Sequence, residues 1–143
     1  DPDGGIVFYR SVVRKHTLDT PFHMDDIESL PRVDIVHSYA GSDAILVEAV
    51  RNQGSAGLIL AGVGGTSGDT PGPRAAKEAM KDGMIVVVAS RTANGRVVMT
   101  PAKERDGFIV GDNLLPHKAR ILLMLALTVT KDRKAIQEMF YEF

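Results

Sequence analysis

Short apolar runs alternate with amphipathic segments along most of this chain, which is the pattern of an α/β fold. The runs that we expect to form strands are Val33 to Tyr39, Gly57 to Val63, Met84 to Ala89 and Phe108 to Gly111. Because Met84 to Ala89 is apolar at every position, both of its faces should be buried, as in a parallel sheet covered on each side.

Segments with helical spacing fall between and after these runs. We expect helices over Ser42 to Gln53, Arg74 to Asp82 and Pro116 to Lys131, and a last one that ends at about Glu142. Ser42 and Asp132 are the candidate N-caps of the first and last of these helices. The alternation predicts a small open parallel sheet of about four strands with helices on both faces, a Rossmann-like three-layer α/β architecture.

The beginning of the chain has a different character. Ile6 to Val12 is rich in β-branched and aromatic residues and follows a turn sequence, so it predicts an extended strand. Residues 14–32 are polar, contain two prolines and show no sustained period, which is typical of a linker. We therefore expect the compact domain to span residues 33–143 and the chain to be a piece of a longer protein.

Composition excludes several classes of function. A net charge of -1 indicates no nucleic-acid partner and no anionic membrane, and no apolar stretch is long enough to span a bilayer. The absence of cysteine rules out disulfides and thiolate metal sites. No two of the 4 histidines have metal-ligand spacing on one predicted helix, so we expect neither a metal nor a cofactor.

The glycine-rich segment after the second predicted strand is the first candidate site. Gly62 and Gly64 fit the dinucleotide-binding fingerprint, but Ser67 stands at its third glycine position, and the P-loop lysine is absent. The hydroxyls of Thr66, Ser67 and Thr70 would need an adjacent base to act as nucleophiles, and the segment contains no Lys or His. Turn formation and helix capping are the alternative roles of these hydroxyls.

A charged block at Lys103 to Asp106 is the second candidate. Its mixed signs predict a solvated loop. The functional alternative is that Glu104 reaches the amine of a ligand.

Several segments resemble the asparaginase–glutaminase family, and their order and spacing match the C-terminal part of that family over nearly the whole chain. The most specific is Pro116 to Asp132. The others are Arg14 to Phe22, Leu30 to Val33, Gly57 to Gly64, Ser90-Arg91 and Gly107 to Val110.

The resemblance implies hydrolysis of the side-chain amide of L-asparagine, and often of L-glutamine, to the acid and ammonia. It also implies that residues 1–32 are the last strand of an N-terminal domain and the interdomain linker. Active sites would form between the N-terminal domain of one subunit and the C-terminal domain of its neighbour, in a homodimer or homotetramer. The linker resembles the secreted, periplasmic branch of the family.

The family uses a threonine nucleophile from its N-terminal domain, so the resemblance places no catalytic residue in this chain. The loop after the Ala-Gly-x-Gly strand supplies an Asn or Ser that touches substrate, and Ser67 falls on that position. A later loop supplies a Glu near the α-amino group of the substrate, for which Glu104 is the nearest candidate. These 143 residues alone are then expected to hold part of a binding surface and no hydrolytic centre.

Two other functions stay open on the sequence. One is a stand-alone α/β module that binds a small molecule or nucleotide. The other is a scaffold domain that serves only oligomer assembly.

Overall fold

A computed structural model of the chain describes residues 13–65 and 68–143, apart from the side chain of Met24. The strand expected over Ile6 to Val12 lies outside the described residues. The strands are β1 (Val33–His37), β2 (Gly57–Gly62), β3 (Ile85–Ser90) and β4 (Ile109–Val110). The helices are α1 (Ile45–Asn52), α2 (Pro71–Lys81), α3 (Pro101–Arg105), α4 (Pro116–Val129) and α5 (Arg133–Glu142). Short 3-10 turns at Thr17–Asp19 and Met24–Asp26 precede β1.

The four strands are parallel and lie in the order β1-β2-β3-β4. Parallel strands that follow one another need crossovers, and the helices between them provide these. Because the order never reverses, the described sheet has no switch point of the kind at which dinucleotide-binding sheets hold their ligand.

Helices cover both faces of this sheet. Along β3, Val86 and Val88 belong to a core that includes residues of α1 and α2. Val87 and Ala89, on the opposite face, belong to a core that includes residues of α4 and α5. The two cores confirm the three-layer architecture, and all six residues of β3 are buried as predicted.

The free edge of β4 is covered by α5. The Gln137 side chain accepts a hydrogen bond from the Val110 N–H (2.8 Å) and donates one to the Val110 carbonyl (3.2 Å). One amide side chain thus satisfies both backbone groups that an unpaired edge strand would leave open.

Helix starts show where local signals succeeded and where they failed. Asp132 caps α5 as predicted, because its carboxylate accepts from the Ala135 N–H at 2.8 Å. Ser42 is not the N-cap of α1: the helix begins at Ile45 after Ala44, and the Ser42 hydroxyl accepts from the Tyr39 N–H (3.4 Å) in the preceding turn.

The helix α3 was not expected at all. It occupies most of the charged block that was predicted to be a loop. The Thr100 hydroxyl accepts from the Lys103 N–H at 3.3 Å, and Pro101 follows at the first helical position. None of the described helices is long and apolar enough to cross a membrane.

Candidate functional site

All four strands end at one side of the sheet, which we call its carboxyl end. Residues 63–70 follow β2 there, residues 91–100 follow β3 and residues 111–115 follow β4. We call residues 63–70 the glycine loop and residues 91–100 the β3 loop. Open α/β sheets place their ligands at this end, so the two candidate segments of the sequence analysis belong to its neighbourhood.

A buried lysine lies against the glycine loop. Lys103 of α3 is only 7% exposed, so the expectation of a fully solvated block is wrong at this position. A Cβ built on Gly65 would lie 3.8 Å from the Lys103 Nζ and 3.3 Å from a methyl carbon of Val97. No buried side-chain nitrogen or oxygen in residues 13–65 and 68–143 lacks a hydrogen-bond partner, so the burial of Lys103 leaves no unsatisfied buried ammonium. The fold therefore places a positive charge beside the glycine loop.

Of the two residues predicted to contact substrate, the structure describes only Glu104. Ser67 lies outside the described residues. Glu104 is exposed, and it lines a groove of about 540 Å³ between α3 and α5, together with Met99, Gln137 and Tyr141. Burial, and then the negative charges of Glu138, Asp112 and Glu104, raise the pKa of the Tyr141 hydroxyl. Through Lys103, α3 adjoins the glycine loop, but the substrate contacts of Ser67 and Glu104 stay predictions.

Two hydrogen-bonded hydroxyl groups lie at the carboxyl end of β3. The Ser90 and Thr92 hydroxyl oxygens lie 2.7 Å apart, and Ser90 is buried. The Thr92 hydroxyl also donates to the Asn94 carbonyl at 3.3 Å, and the Thr92 N–H donates to Ser90 Oγ at 3.2 Å. A nucleophilic hydroxyl requires an adjacent base, whereas the partners here are another hydroxyl and backbone groups. This pair shapes the β3 loop.

Asp112 connects segments that are far apart in the sequence, and no local sequence pattern predicts these contacts. Its carboxylate accepts hydrogen bonds from Arg14, which precedes the domain, and from Arg96 of the β3 loop. Its carbonyl accepts from the Val97 N–H at 2.9 Å. Burial tends to raise the pKa of Asp112, but the hydrogen bonds and charges of Arg96 and Arg14 outweigh it and hold the pKa below its usual value.

The polar groups at the carboxyl end are of the kinds that bind a small charged ligand. No group of three or more His, Cys, Asp or Glu among them could hold a metal ion. The carboxyl end offers hydroxyls, backbone groups, one buried cation and exposed carboxylates, and these are groups that recognise a small charged ligand.

Comparison with known proteins gives one consistent result. The family model described as the glutaminase/asparaginase C-terminal domain matches residues 32–140. "L-asparaginase 2" of Bacillus subtilis is 38% identical over 96% of this chain and 37% of its own length. "L-asparaginase 2" of Escherichia coli is 36% identical over 99% of this chain and 41% of its own length.

A glutaminase-asparaginase and a solved structure extend the same likeness. "Glutaminase-asparaginase" of Pseudomonas fluorescens is 34% identical over 99% of this chain and 40% of its own length. The crystal structure of a probable cytoplasmic L-asparaginase from Campylobacter jejuni is 41% identical, with a TM-score of 0.92, over 99% of this chain and 46% of that one. The chain thus spans about two fifths of the length of the curated relatives it matches.

Proposed function

The chain belongs to the glutaminase/asparaginase family as its C-terminal domain, and we propose that it is part of an enzyme that hydrolyses L-asparagine to L-aspartate and ammonia. L-Glutamine is the second substrate to test, because relatives named glutaminase-asparaginase also match 99% of the chain. The observation that carries the proposal is the match of 41% identity and TM-score 0.92, over 99% of the chain, to a probable L-asparaginase.

Within that enzyme, we infer that this domain contributes binding groups and that the groups that break the amide bond lie outside these residues. The hydroxyls of Ser90 and Thr92 are hydrogen-bonded to each other and to backbone groups, and none of these partners is a base that could activate them. A free amino acid is a small zwitterion, for which Ser67 would supply a hydrogen bond and Glu104 a charge-assisted one to the α-amino group.

We also propose that another domain and a neighbouring subunit pack on this one, in a homodimer or homotetramer. Val13 and Leu18, in the segment that precedes the domain, are 92% and 93% exposed. An apolar groove of about 500 Å³ between this segment and α4 includes Phe22, Leu114 and Ile121. Exposed apolar surface of this kind is typical of interfaces between domains and subunits.

The activity is tested by ammonia release from L-asparagine and L-glutamine, measured on the intact protein and on the 143-residue chain alone. We expect release from the intact protein and none from the chain. Release by the highly purified chain at an enzyme-like rate would overturn the assignment of the catalytic groups. Failure of the intact protein to hydrolyse either amide would overturn the proposed activity itself.

The binding role is tested by Ser67→Ala and Glu104→Gln in the intact protein. Loss of one substrate hydrogen bond costs about 1–3 kcal/mol, so KM for L-asparagine should rise roughly 5- to 150-fold in each variant. Glu138→Gln is the matched control, because Glu138 lines the same groove from α5. Equal and unchanged KM values in all three variants would favour a scaffold role.

A further inference from the structure

Asp112 is the meeting point of three segments that are distant in the sequence. Arg14 reaches it from the segment before the domain and Arg96 from the β3 loop. The same Arg14 guanidinium donates to the carbonyls of Phe140 (3.1 Å) and Phe143 (3.0 Å) at the end of α5. The Asp112 carboxylate, which is 5% exposed, therefore connects the segment before the domain with the β3 loop, and through Arg14 with the end of α5.

The backbone at this position is also unusual. Asp112 has a backbone φ of +50°, in the left-handed region that residues other than Gly, Asn and Asp rarely adopt. The residue is held there by its carbonyl, which accepts from the Val97 N–H, and by its two arginines. Side chain and main chain of Asp112 thus act on the same loop.

We propose that Asp112 is a positioning residue that couples residues 13–22 to the β3 loop, so that the packing of residues 13–22 sets the geometry of the substrate-contacting end of the sheet. The inference rests on the proposed function for its effect on catalysis. The coupling itself is a structural statement that can be measured without substrate. Displacement of residues 13–22 would remove Arg14 from the Asp112 carboxylate and free that side chain to change its contacts with the β3 loop.

A second arginine–aspartate cluster provides the matched control. Asp34 accepts from the Arg32 guanidinium (2.8 Å) and from the Ser55 hydroxyl, at the amino end of the sheet. Arg32 is only two residues away in sequence and Ser55 is 21 residues away, before β2, so this cluster contacts neither residues 13–22 nor the β3 loop. Asp34→Asn and Asp112→Asn each remove one carboxylate charge that is paired with arginine, and Asn tolerates the positive φ at position 112.

The first experiment measures steady-state kinetics of the intact protein with L-asparagine. Asp112→Asn should raise KM roughly tenfold with kcat within about twofold of wild type, as for one lost charge-assisted hydrogen bond. Asp34→Asn should change neither constant. If both variants lower thermal stability and leave KM unchanged, Asp112 is a structural residue and the proposal fails.

The second experiment measures amide hydrogen exchange in the intact protein without substrate. Arg14→Met should speed exchange in the β3 loop, including the Val97 amide, although position 14 is far from the loop in sequence. Lys15→Met is the control, because Lys15 is adjacent and binds the end of α5 through Glu142 at 3.0 Å. Unaltered exchange in the Arg14 variant would overturn the coupling. Faster exchange in a protein that hydrolyses no amide would retain the coupling and reject only the proposed function.

Discussion

The two ends of the sheet are built in different ways. At the amino end, β2 begins at Gly57 so close to α4 that a Cβ there would lie 2.7 Å from Leu123 Cδ2. At the carboxyl end, residues 91–96 are exposed, Lys103 is buried beside the glycine loop, and Asp112 adopts a positive φ. Close packing requires glycine at position 57 of the amino end, whereas the carboxyl end contains a buried lysine and a positive φ at a residue other than glycine, which packing alone does not require.

This difference separates stability from function within one small domain. Substitutions at the amino end should act on the folding free energy and leave ligand binding intact. Substitutions at the carboxyl end should change ligand binding, and one of them should even stabilise the fold.

Gly57→Val should cause the largest loss of stability, at the amino end. Its new methyl groups would overlap Leu123 of α4 and Val33 of β1, whose side chains lie 2.7 and 3.1 Å from the Cβ position alone. Overpacking of this kind costs about 1–3 kcal/mol and occasionally more. Chemical unfolding of the intact protein, followed by circular dichroism, measures the loss.

Gly72→Ala is the control for that prediction. Gly72 lies in α2 and has no atom within 4 Å of its Cβ position. The gain in helix propensity from alanine is offset by the steric cost of a Cβ before Pro73, so the free energy of unfolding should change by less than about 0.5 kcal/mol. Similar losses in both variants would show that close packing is not what requires glycine at position 57.

Sequence patterns predicted the amino end and the interior far better than the carboxyl end. The apolar run Met84 to Ala89 and the cap at Asp132 are local signals, and both were interpreted correctly. The helix α3 was missed because its five residues are too few for a helical period, and Thr100-Pro101 is its only start signal. The role of Asp112 could not be predicted, because its partner Arg14 is 98 residues away.

Gln137→Leu should have the next largest effect, at the free edge of β4. Leucine keeps the size of the side chain but leaves the N–H and carbonyl of Val110, which is fully buried, without their partner. An unsatisfied buried backbone group costs about 1–3 kcal/mol. Thermal melting should show a lower Tm. Glu138→Leu, one position along α5 and exposed, should be close to neutral.

Acid should weaken the Asp112 cluster. The pKa of Asp112 is lower in the folded protein than the ordinary pKa of an aspartate carboxyl, so its contribution to stability is complete above that ordinary value and disappears as pH falls through the folded pKa. At neutral pH, Asp112→Asn should cost about 1–2 kcal/mol, at the lower end for charge-assisted hydrogen bonds because Arg96 is solvent-exposed.

The test is the unfolding free energy of wild type and Asp112→Asn between pH 7 and pH 2. The two curves should differ at neutral pH and converge in acid. The pKa of Asp34 is also lowered, chiefly by the hydrogen bond from Arg32, so Asp34→Asn should give the same sign of pH dependence. A constant difference between wild type and Asp112→Asn at all pH values would show that the charge of Asp112 does not contribute.

Lys103→Met should have the smallest effect on stability and the opposite sign. Methionine keeps the length of the buried stem and removes an ammonium whose partial withdrawal from water disfavours the folded state. We expect the free energy of unfolding to rise by about 1 kcal/mol or less while kcat/KM for L-asparagine falls, which is the trade-off typical of functional sites. Lys134→Met is the control, because Lys134 is exposed and should change neither quantity. A loss of stability in Lys103→Met would show instead that the ammonium holds the fold together, and the carboxyl end would then follow the same rule as the amino end.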